Sequence, residues 1–390
     1  MEHIRSILGR RLRLGVIGGA PGSFIGEVHR IAARLDDTYE LVCGVLSSNP
    51  QKALQAGKEL GFPSDRLYKT VQQMLESEET RKDKIDALAI MTPNDTHFEY
   101  SMAALDKGFH VICDKPLTNT LEQARALVQK VRETDLVFCL THNYTGYPLV
   151  RQAREMIVQK MLGDIRLVQV EYVQGGRARE VQVSPDMPRA WKYNPEKSGP
   201  SLVMGDIGTH AHHLLRFVTG LEVSQVSAEV GTIVPNRQVH DFAGALLRMS
   251  NGARGVFWAT QAAAGVENSL SFRISGSSGS LEWCQEIPQR LQFFPLDGPA
   301  QVFTPNGPGI LPAAAKVSRI AKGHPEGYLE GFANLYTEAA QAIGNAILKL
   351  PHRDYDFPGV VDGLKGLEFI EAALLSSRSG GSWVSTHQVP

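Results

Sequence analysis

Two residues four positions apart, Asp206 and His210, are the first candidates for chemistry in this sequence. They precede the segment 211–218, whose apolar residues recur with the period of a helix. Side chains four apart on a helix point within about 40° of each other. A carboxylate beside an imidazole fixes its tautomer and raises its basicity, as a general base requires. The spacing therefore predicts an acid–base pair, with a histidine that only caps or packs the helix as the structural alternative.

Lys115 is the second candidate, because of the residues on either side of it. It follows the apolar run 109–113 by one residue and directly precedes Pro116. Proline disfavours the helical region for the preceding residue, so Lys115 is predicted to lie extended just beyond a buried strand. Ligands of open α/β sheets bind at that edge. A solvated surface lysine is the alternative.

The same helical stripe raises the question of a metal ion. His213 falls on the face of Asp206 and His210, and His212 is adjacent. Such residues can bind zinc, but the sequence has neither a Cys-x-x-Cys nor a His-Glu-x-x-His motif. We therefore predict no metal site.

A glycine-rich loop between the first apolar run and a helical segment predicts a phosphate-binding turn. Such a turn lets the backbone approach a pyrophosphate at the positive end of the helix. The spacing is not the strict G-x-G-x-x-G, because Ala20 takes the second glycine position. A tight turn without a ligand is the alternative. The predicted cofactor-binding residues of the loop are Gly18, Gly19, Ala20, Gly22, Ser23, Phe24, Ile25 and Gly26.

Ser47 stands where dinucleotide-binding folds usually place an acidic residue on the adenosine ribose. A hydroxyl can bond a ribose hydroxyl and does not repel a 2′-phosphate. The sequence therefore predicts NAD or NADP as the cofactor and leaves the choice open.

The chain has two halves with different periodicities, and its 390 residues suggest two domains. Up to about residue 160, short apolar runs alternate with helical segments, which predicts a doubly wound parallel sheet. After residue 160, alternating patterns and an Asn251-Gly252 turn signal predict an open, mostly antiparallel sheet with helices on one side. We assign a dinucleotide-binding Rossmann domain to 1–160 and a substrate-binding and oligomerisation α+β domain to 161–390. The expected fold class is therefore α/β. Two of its helices are predicted near 328–348 and 362–377.

Composition excludes several classes of protein. With 40 Lys and Arg against 41 Asp and Glu, the net charge of −1 argues against nucleic acid or an anionic membrane as a partner. We find no apolar run long enough to span a membrane. The four cysteines have no close pairing, which favours a reduced, cytoplasmic protein. An exposed sheet face predicts a homodimer or homotetramer.

Taken together, these motifs resemble those of the Gfo/Idh/MocA family of oxidoreductases, over nearly the whole chain. Its anchors here are the glycine loop, residues 92–97, Asp114-Lys115-Pro116, and Asp206 with His210. The resemblance implies a Rossmann domain followed by an open-sheet domain, and catalytic roles for Lys115, Asp206 and His210. Asp114 and His213 depart from the usual Glu and Asp. The resemblance also implies cofactor-binding roles for Thr92, Pro93, Asn94, His97, Lys115 and Asn143.

The activity we expect is hydride transfer between a nicotinamide and a secondary alcohol of a sugar, sugar derivative or cyclitol. His210 would take the hydroxyl proton and Lys115 would bond the same oxygen. A cluster of Arg177, Arg179 and Arg189 is explained by a solvated loop, with an anionic sugar as the alternative. The predicted substrate-binding residues are Lys115, Tyr144, Trp191, Lys192, Asp206, His210 and His324.

Three other activities stay open at this point. An NAD-dependent glycosidase would oxidise C3 of a glycoside transiently and eliminate the aglycone. A non-catalytic NAD(P)-binding regulator would bind cofactor without turnover. A metal-dependent hydrolase is the third. Neither the substrate nor the direction of reaction follows from these motifs.

Overall fold

The computed structural model describes residues 4–181, 183, 184, 187, 190–351 and 353–387. The chain forms two compact units. The first unit contains Met1–Asn143 and Tyr328–Leu364, and the second contains Tyr144–Gly327 and Lys365–Pro390. The sequence placed the division at residue 160 and kept the C-terminal helices in one domain, so the units differ from the predicted domains in both respects.

The strands and helices alternate in the first part of the chain, and strands dominate the second. The strands are β1 Leu12–Gly18, β2 Tyr39–Val45, β3 Ala87–Met91, β4 His110–Cys113, β5 Phe138–Leu140, β6 Ile165–Val173, β7 Val223–Gly231, β8 Phe242–Met249, β9 Arg254–Thr260, β10 Ser269–Gly276, β11 Gly279–Cys284, β12 Leu291–Pro295, β13 Gln301–Phe303 and β14 Val384–Ser385. The α-helices are α1 Ile4–Leu8, α2 Phe24–Leu35, α3 Pro50–Glu59, α4 Val71–Thr80, α5 His97–Asp106, α6 Leu121–Arg132, α7 Pro148–Val158, α8 Pro195–Ser198, α9 Thr209–Thr219, α10 Pro312–Ala315, α11 Tyr328–Ile347 and α12 Val360–Arg378.

The sheet of the first unit is parallel and has the order β2-β1-β3-β4-β5 in the described residues. Every residue of β3 is buried, as expected for a strand covered on both faces. β1 lies between β2 and β3. The chain adds β2 on one side of β1 and then adds β3, β4 and β5 on its other side, so the strand order reverses at β1. Ligands of such sheets bind beyond the carboxyl ends of the strands at this point. The predicted doubly wound parallel sheet is confirmed.

Local capping signals set the helix starts of this unit. Asn49 caps α3 by accepting a hydrogen bond from the Lys52 amide, with Pro50 in the first helical position. Thr120 caps α6 in the same way. α2 begins at Phe24, where the side chain of Ser23 accepts from the Gly26 amide at 3.4 Å.

Helix α11 belongs to the first unit, whereas the sequence analysis placed it in the second half of the chain. It packs against α2, and its buried aromatic residues join the core of the parallel sheet. The Tyr336 hydroxyl lies 2.7 Å from Nδ1 of His29, and the Tyr39 hydroxyl donates to the Tyr336 carbonyl at 3.0 Å. The periodicity that predicted this helix does not identify the surface on which it packs.

The second unit is built on a sheet with the order β13-β12-β11-β10-β6-β9-β8-β7-β14. Its neighbours are antiparallel except for β6 and β9, which are parallel, so the predicted open, mostly antiparallel sheet is confirmed. The predicted hairpin joins β8 to β9, where Gly252 has φ +89° and the Asn251 side chain accepts from the Ala253 amide at 3.0 Å.

The two faces of this sheet differ. Phe257 on β9 points to the helix-covered face, where its ring lies 5.2 Å from Phe369 of α12. The opposite face leaves apolar side chains exposed on three strands. They are Leu167, Leu246, Val256 and Trp258, with 40–59% of their surface exposed.

Among the described residues, no helix has both the length and the apolar composition needed to cross a membrane. The four cysteines are free thiols.

Candidate active site

The glycine loop after β1 is shaped by close backbone contacts. Gly18 and Gly19 have φ of +78° and +67°, which favour glycine. A Cβ on Gly18 would lie 2.7 Å from the Met91 carbonyl oxygen, and one on Gly26 would overlap the Gly19 backbone. Arg30, buried in α2, donates from Nη1 to the Gly19 carbonyl. Glycine at these positions therefore lets the loop lie directly against β3 and the start of α2.

The end of this loop presents backbone to open space at the start of α2. Gly22 has φ +83°, and a Cβ there would meet nothing within 4 Å. Its amide donates to Glu27 Oε1 at 3.2 Å, and the Ser23 amide donates to the Ala20 carbonyl at 2.9 Å. A glycine cradle running into a helix N-terminus fits the pyrophosphate of a dinucleotide. Phe24 and Ile25 form the first turn of α2. The sequence analysis did not single out Glu27 or Arg30.

The segment after β4 holds Lys115 at the carboxyl edge of the sheet. Asp114 donates its amide to Ile90 of β3 at 2.9 Å, and its Oδ1 accepts from the Lys115 amide at 2.8 Å and from the Thr141 hydroxyl at 3.1 Å. Lys115 is half-buried, and the Lys115–Pro116 peptide bond is cis. The carboxylate of Asp114 thus fixes the backbone at Lys115, a function the sequence did not predict for it.

His97 joins two of the segments that leave the sheet. Its Nδ1 lies 2.7 Å from the Pro116 carbonyl oxygen, and its Nε2 lies 3.1 Å from that of Thr92. Pro93 and the buried Asn94 follow Thr92 at the end of β3. The prediction that these residues bind cofactor stays a prediction, and the structure adds that His97 ties the loop after β3 to the loop after β4.

Two further predicted cofactor contacts lie at the same edge. Ser47 follows β2 and accepts from the Asn49 amide at 3.2 Å. Asn143 is buried, and among the described residues neither Oδ1 nor Nδ2 of its amide has a hydrogen-bond partner. Leaving such a group buried and unbonded is unfavourable, so Asn143 fits a ligand that supplies a donor and an acceptor, as a carboxamide does.

In the second unit, Asp206 lies in a π-helical turn, Met204–Gly208, that leads into α9. Asp206 therefore lies outside the α-helix that holds His210, and the angle expected for two residues on one α-helix does not apply to this pair. Lys192 donates from Nζ to both carboxylate oxygens, at 2.7 and 2.9 Å, and Gln261 donates to Oδ2 at 2.9 Å. Lys192, predicted to contact substrate, is thus paired with Asp206, and its Nζ lies 5.6 Å from the centre of the Trp191 ring. That Asp206 orients His210 stays a prediction.

His210 is only 7% exposed and lies against two tyrosine rings. Its ring centre is 4.9 Å from that of Tyr144 and 6.2 Å from that of Tyr172, both with edge-on geometry. The two hydroxyl oxygens are 2.5 Å apart, and Tyr172 donates to Oδ1 of Asn268 at 2.8 Å. Either hydroxyl can be the donor between the two tyrosines. Burial raises the pKa of Tyr144, which keeps this hydroxyl protonated.

Hydrogen bonds connect this aromatic pair with Asp206. Gln174 donates to Asn268 Oδ1 at 2.6 Å, and Gln261 donates both to Gln174 Oε1 at 3.3 Å and to Asp206. Gln174 and Gln261 directly follow the parallel strands β6 and β9, whose carboxyl ends share one edge. A polar residue directly after each strand was a signal for them, but the parallel pairing was not evident from the sequence.

The remaining sequence candidates fall in different surroundings. The Arg177 side chain is only 13% exposed and lies 3.8 Å from Asp206, so a solvated loop does not describe it. Arg179 is exposed, and Arg189 lies outside the described residues. His324 is exposed, four residues before α11, with Nδ1 3.1 Å from the Ala321 carbonyl oxygen.

The other two histidines of α9 are buried beside aromatic rings. His212 stacks on Phe369 with ring centres 4.4 Å apart, and His213 lies 6.2 Å from Phe217. In the described part of the chain, no group of three or more His, Cys, Asp or Glu residues is arranged to hold a metal ion.

Comparison with known proteins places both halves of the chain. Residues 12–155 match the model of an oxidoreductase family with an NAD-binding Rossmann fold. Residues 150–282 match that of the GFO/IDH/MocA C-terminal domain. These matches agree with the predicted family, with the predicted fold, and with a nicotinamide dinucleotide as cofactor.

Individual relatives match this chain over almost its full length. An oxidoreductase structure from Sinorhizobium meliloti is 45% identical, with a TM-score of 0.86, and the match covers 96% of this chain and 99% of that one. An inositol dehydrogenase homolog from Azotobacter vinelandii, solved with NADH and myo-inositol, is 32% identical with a TM-score of 0.89, covering 98% and 100%. Levoglucosan dehydrogenase of Pseudarthrobacter phenanthrenivorans is 26% identical over 97% of this chain and 99% of its own. The chain belongs to the Gfo/Idh/MocA family of NAD-binding oxidoreductases.

Proposed function

We propose that this protein transfers a hydride between a nicotinamide dinucleotide and a secondary alcohol of a sugar, sugar derivative or cyclitol. The observation that carries the proposal is the environment of His210: a buried imidazole beside a polar network that ends on Asp206. An imidazole is the usual general base near neutral pH, and a network of amides, hydroxyls and charges suits a ligand rich in hydroxyl groups. The relatives solved with myo-inositol or named for levoglucosan support the same class.

In the first unit, the glycine loop and the start of α2 hold the pyrophosphate, and Asn143, Thr92, Pro93, Asn94 and His97 hold the nicotinamide half. Ser47 contacts the adenosine ribose. Its hydroxyl can bond the ribose hydroxyl of NAD and does not repel the 2′-phosphate of NADP. When bound, the cofactor supplies a hydride acceptor at C4 of its nicotinamide.

The chain's own residues manage the proton. His210 accepts the proton of the substrate hydroxyl, and Lys115 donates a hydrogen bond to the same oxygen, which stabilises its developing negative charge. Asp206, held by Lys192 and Gln261, orients His210 and accepts a neighbouring hydroxyl. The side chains of Tyr144 and Trp191 contact the bound substrate.

Absorbance at 340 nm tests the proposal, with NAD or NADP and a panel of sugars and cyclitols that includes myo-inositol. We expect His210→Ala and Lys115→Ala to lower kcat by about 10²–10⁴-fold with cofactor affinity kept, since each removes a group that acts on the reacting oxygen. His387→Ala and Lys82→Ala, at exposed positions, are the controls.

The same assay separates the other activities. Release of an aglycone from a glycoside without net build-up of reduced cofactor would identify an NAD-dependent glycosidase. Cofactor binding with no turnover of any substrate would identify a regulator. Near-normal rates in both variants would show that these residues are not the catalytic ones.

We also propose that the second unit self-associates through the open face of its sheet, forming a homodimer or homotetramer. Apolar side chains of β6, β8 and β9 are exposed there together. Such a patch is unfavourable in contact with water, and a second copy of the same sheet would cover it.

A further inference from the structure

Three cationic side chains of the second unit lie around one turn, Ala190–Tyr193. The guanidinium carbon of Arg177 is 5.0 Å from the centre of the Tyr193 ring, and that of Arg237 is 5.8 Å from it. Lys192 precedes Tyr193 in the same turn. Carboxylates balance two of these three charges.

The first balanced pair is Arg237 with Asp241. Arg237 Nη1 lies 2.8 Å from Asp241 Oδ2, and both side chains are almost fully buried, at 4% and 0% exposed. The Asp241 carboxylate also accepts from the amides of Ile233 and Val234. Arg237 also donates hydrogen bonds from Nη2 to the carbonyl oxygens of Arg177 and Arg179, at 2.7 and 3.0 Å. The pair therefore holds the backbone at Arg177.

The second balanced pair is Lys192 with Asp206, at 2.7 Å. Arg177 Nη2 lies 3.8 Å from Asp206 Oδ2, which is too long for a hydrogen bond. These five side chains therefore contain three positive and two negative charges, and the surplus positive charge lies on Arg177.

The backbone amide and carbonyl of Arg177 are both hydrogen-bonded, and its guanidinium contacts the Tyr193 ring. Its amide donates to the Gln261 carbonyl at 3.0 Å, and its carbonyl accepts from Arg237. Among the described residues, the guanidinium touches the Tyr193 ring and approaches Asp206 but makes no hydrogen bond. A guanidinium carries five N–H donors in a fixed fork. Removing such a charge from water is unfavourable unless a partner replaces the water.

We infer that the substrate carries a negatively charged group, a carboxylate or a phosphate ester, which binds Arg177. This inference rests on the proposed function and specifies its substrate class: a sugar acid or sugar phosphate, or the corresponding cyclitol derivative. Both anions match the fork of a guanidinium with two parallel hydrogen bonds. A neutral polyol would leave the surplus charge uncompensated. The nearness of Arg177 to Asp206 places the anion beside the proposed acid–base residues.

The test compares matched ligands with the NAD-loaded protein, by calorimetry and by turnover. The sets are glucose, glucuronate and glucose 6-phosphate; galactose, galacturonate and galactose 6-phosphate; and myo-inositol with its monophosphate. We expect at least one anionic ligand to bind about tenfold or more tightly than its neutral counterpart at low ionic strength. The advantage should shrink in high salt. The carboxylate and phosphate arms identify the source of the charge.

Arg177→Gln should abolish this advantage while binding of the neutral ligands changes little. Arg179→Gln, two residues away and exposed, should keep it. If no anionic ligand binds more tightly than its neutral counterpart, or if Arg177→Gln keeps the preference, the inference is wrong. Turnover of neutral sugars alone would overturn only this inference, whereas tight binding of an anion without hydride transfer would overturn only the proposed function.

Discussion

At the scale of single residues, His210 depends on neighbours that do not themselves react. The rings of Tyr144 and Tyr172 pack edge-on against the His210 ring, and Asn268 accepts a hydrogen bond from Tyr172. Because both tyrosines and the imidazole are buried, the position of the ring is fixed by packing and by the hydroxyl pair. We therefore propose that Tyr172 helps to position His210 in the reaction.

Tyr172→Phe removes the hydroxyl that contacts Tyr144 and donates to Asn268, without changing the ring. A hydrogen bond contributes about 0.5–1.5 kcal/mol net, so we expect kcat/KM to fall by about three- to tenfold. If Tyr172 positions His210, the substitution also displaces this base, and the pH profile of kcat/KM shifts. A purely structural role for Tyr172 would leave the profile unchanged.

The matched control is Tyr355→Phe, in the first unit, where the hydroxyl accepts from Asn345 at 2.6 Å. It removes one hydrogen bond of a partly buried tyrosine away from the site. An unchanged pH profile in Tyr172→Phe would show that Tyr172 does not position His210.

At the scale of elements, the contact between α2 and α11 has a pH dependence that follows from one buried histidine. His29 lies 2.7 Å from the Tyr336 hydroxyl, and burial lowers its pKa from 6.5 to about 4. The folded protein keeps this imidazole neutral, whereas the unfolded chain binds a proton below pH 6.5. The free energy of unfolding therefore falls as the pH decreases from about 6.5 to 4, and His29 has little effect above that range.

Urea unfolding at pH 7 and pH 5 measures this term. Between these two values the wild type should lose about 2 kcal/mol more stability than His29→Gln, whose amide can still bond Tyr336 but does not titrate. His110, whose pKa burial also lowers to about 4, is present in both proteins and cancels. Equal losses in the two proteins would mean that His29 is accessible to protons in the folded state.

The elements also show what a sequence can and cannot predict here. Apolar runs predicted the strands of the parallel sheet, because this signal is local. The helix α11 was predicted, but not its partner α2, since its apolar face is compatible with any apolar surface. Gln174 and Gln261 were missed because they come together only through the parallel pairing of β6 with β9.

The candidate site shows the same division. Lys115, Asp206 and His210 are recognisable from their spacing and neighbours in the sequence. The pairing of Lys192 with Asp206 and the burial of Arg177 are not, because both depend on tertiary contacts with distant parts of the second unit. Charged residues in a loop are typically solvated, and only tertiary contacts reveal the exception.

At the scale of the whole molecule, the open face of the second sheet determines how copies meet. Trp258 and Val256 lie on β9, between β6 and β8, and are 40% and 48% exposed. Placing a charged side chain in an apolar contact removes that charge from water, which is unfavourable.

We expect Trp258→Lys to shift the protein from an oligomer to the mass of one chain in size-exclusion chromatography with light scattering. The control is Leu296→Lys, at a 72% exposed residue in the turn after β12, which should leave the mass unchanged. A wild-type protein that is monomeric at micromolar concentration would contradict self-association through this face.

The most direct test of the proposed reaction follows the hydrogen itself. A substrate of the panel is supplied with deuterium on its secondary carbinol carbon, and the reduced cofactor released is weighed by mass spectrometry. We predict that the cofactor gains one deuterium in the wild type and that this product is nearly absent with His210→Ala. Reduced cofactor without the label, or no labelled cofactor from any sugar or cyclitol, would contradict hydride transfer from a secondary alcohol as the function of this protein.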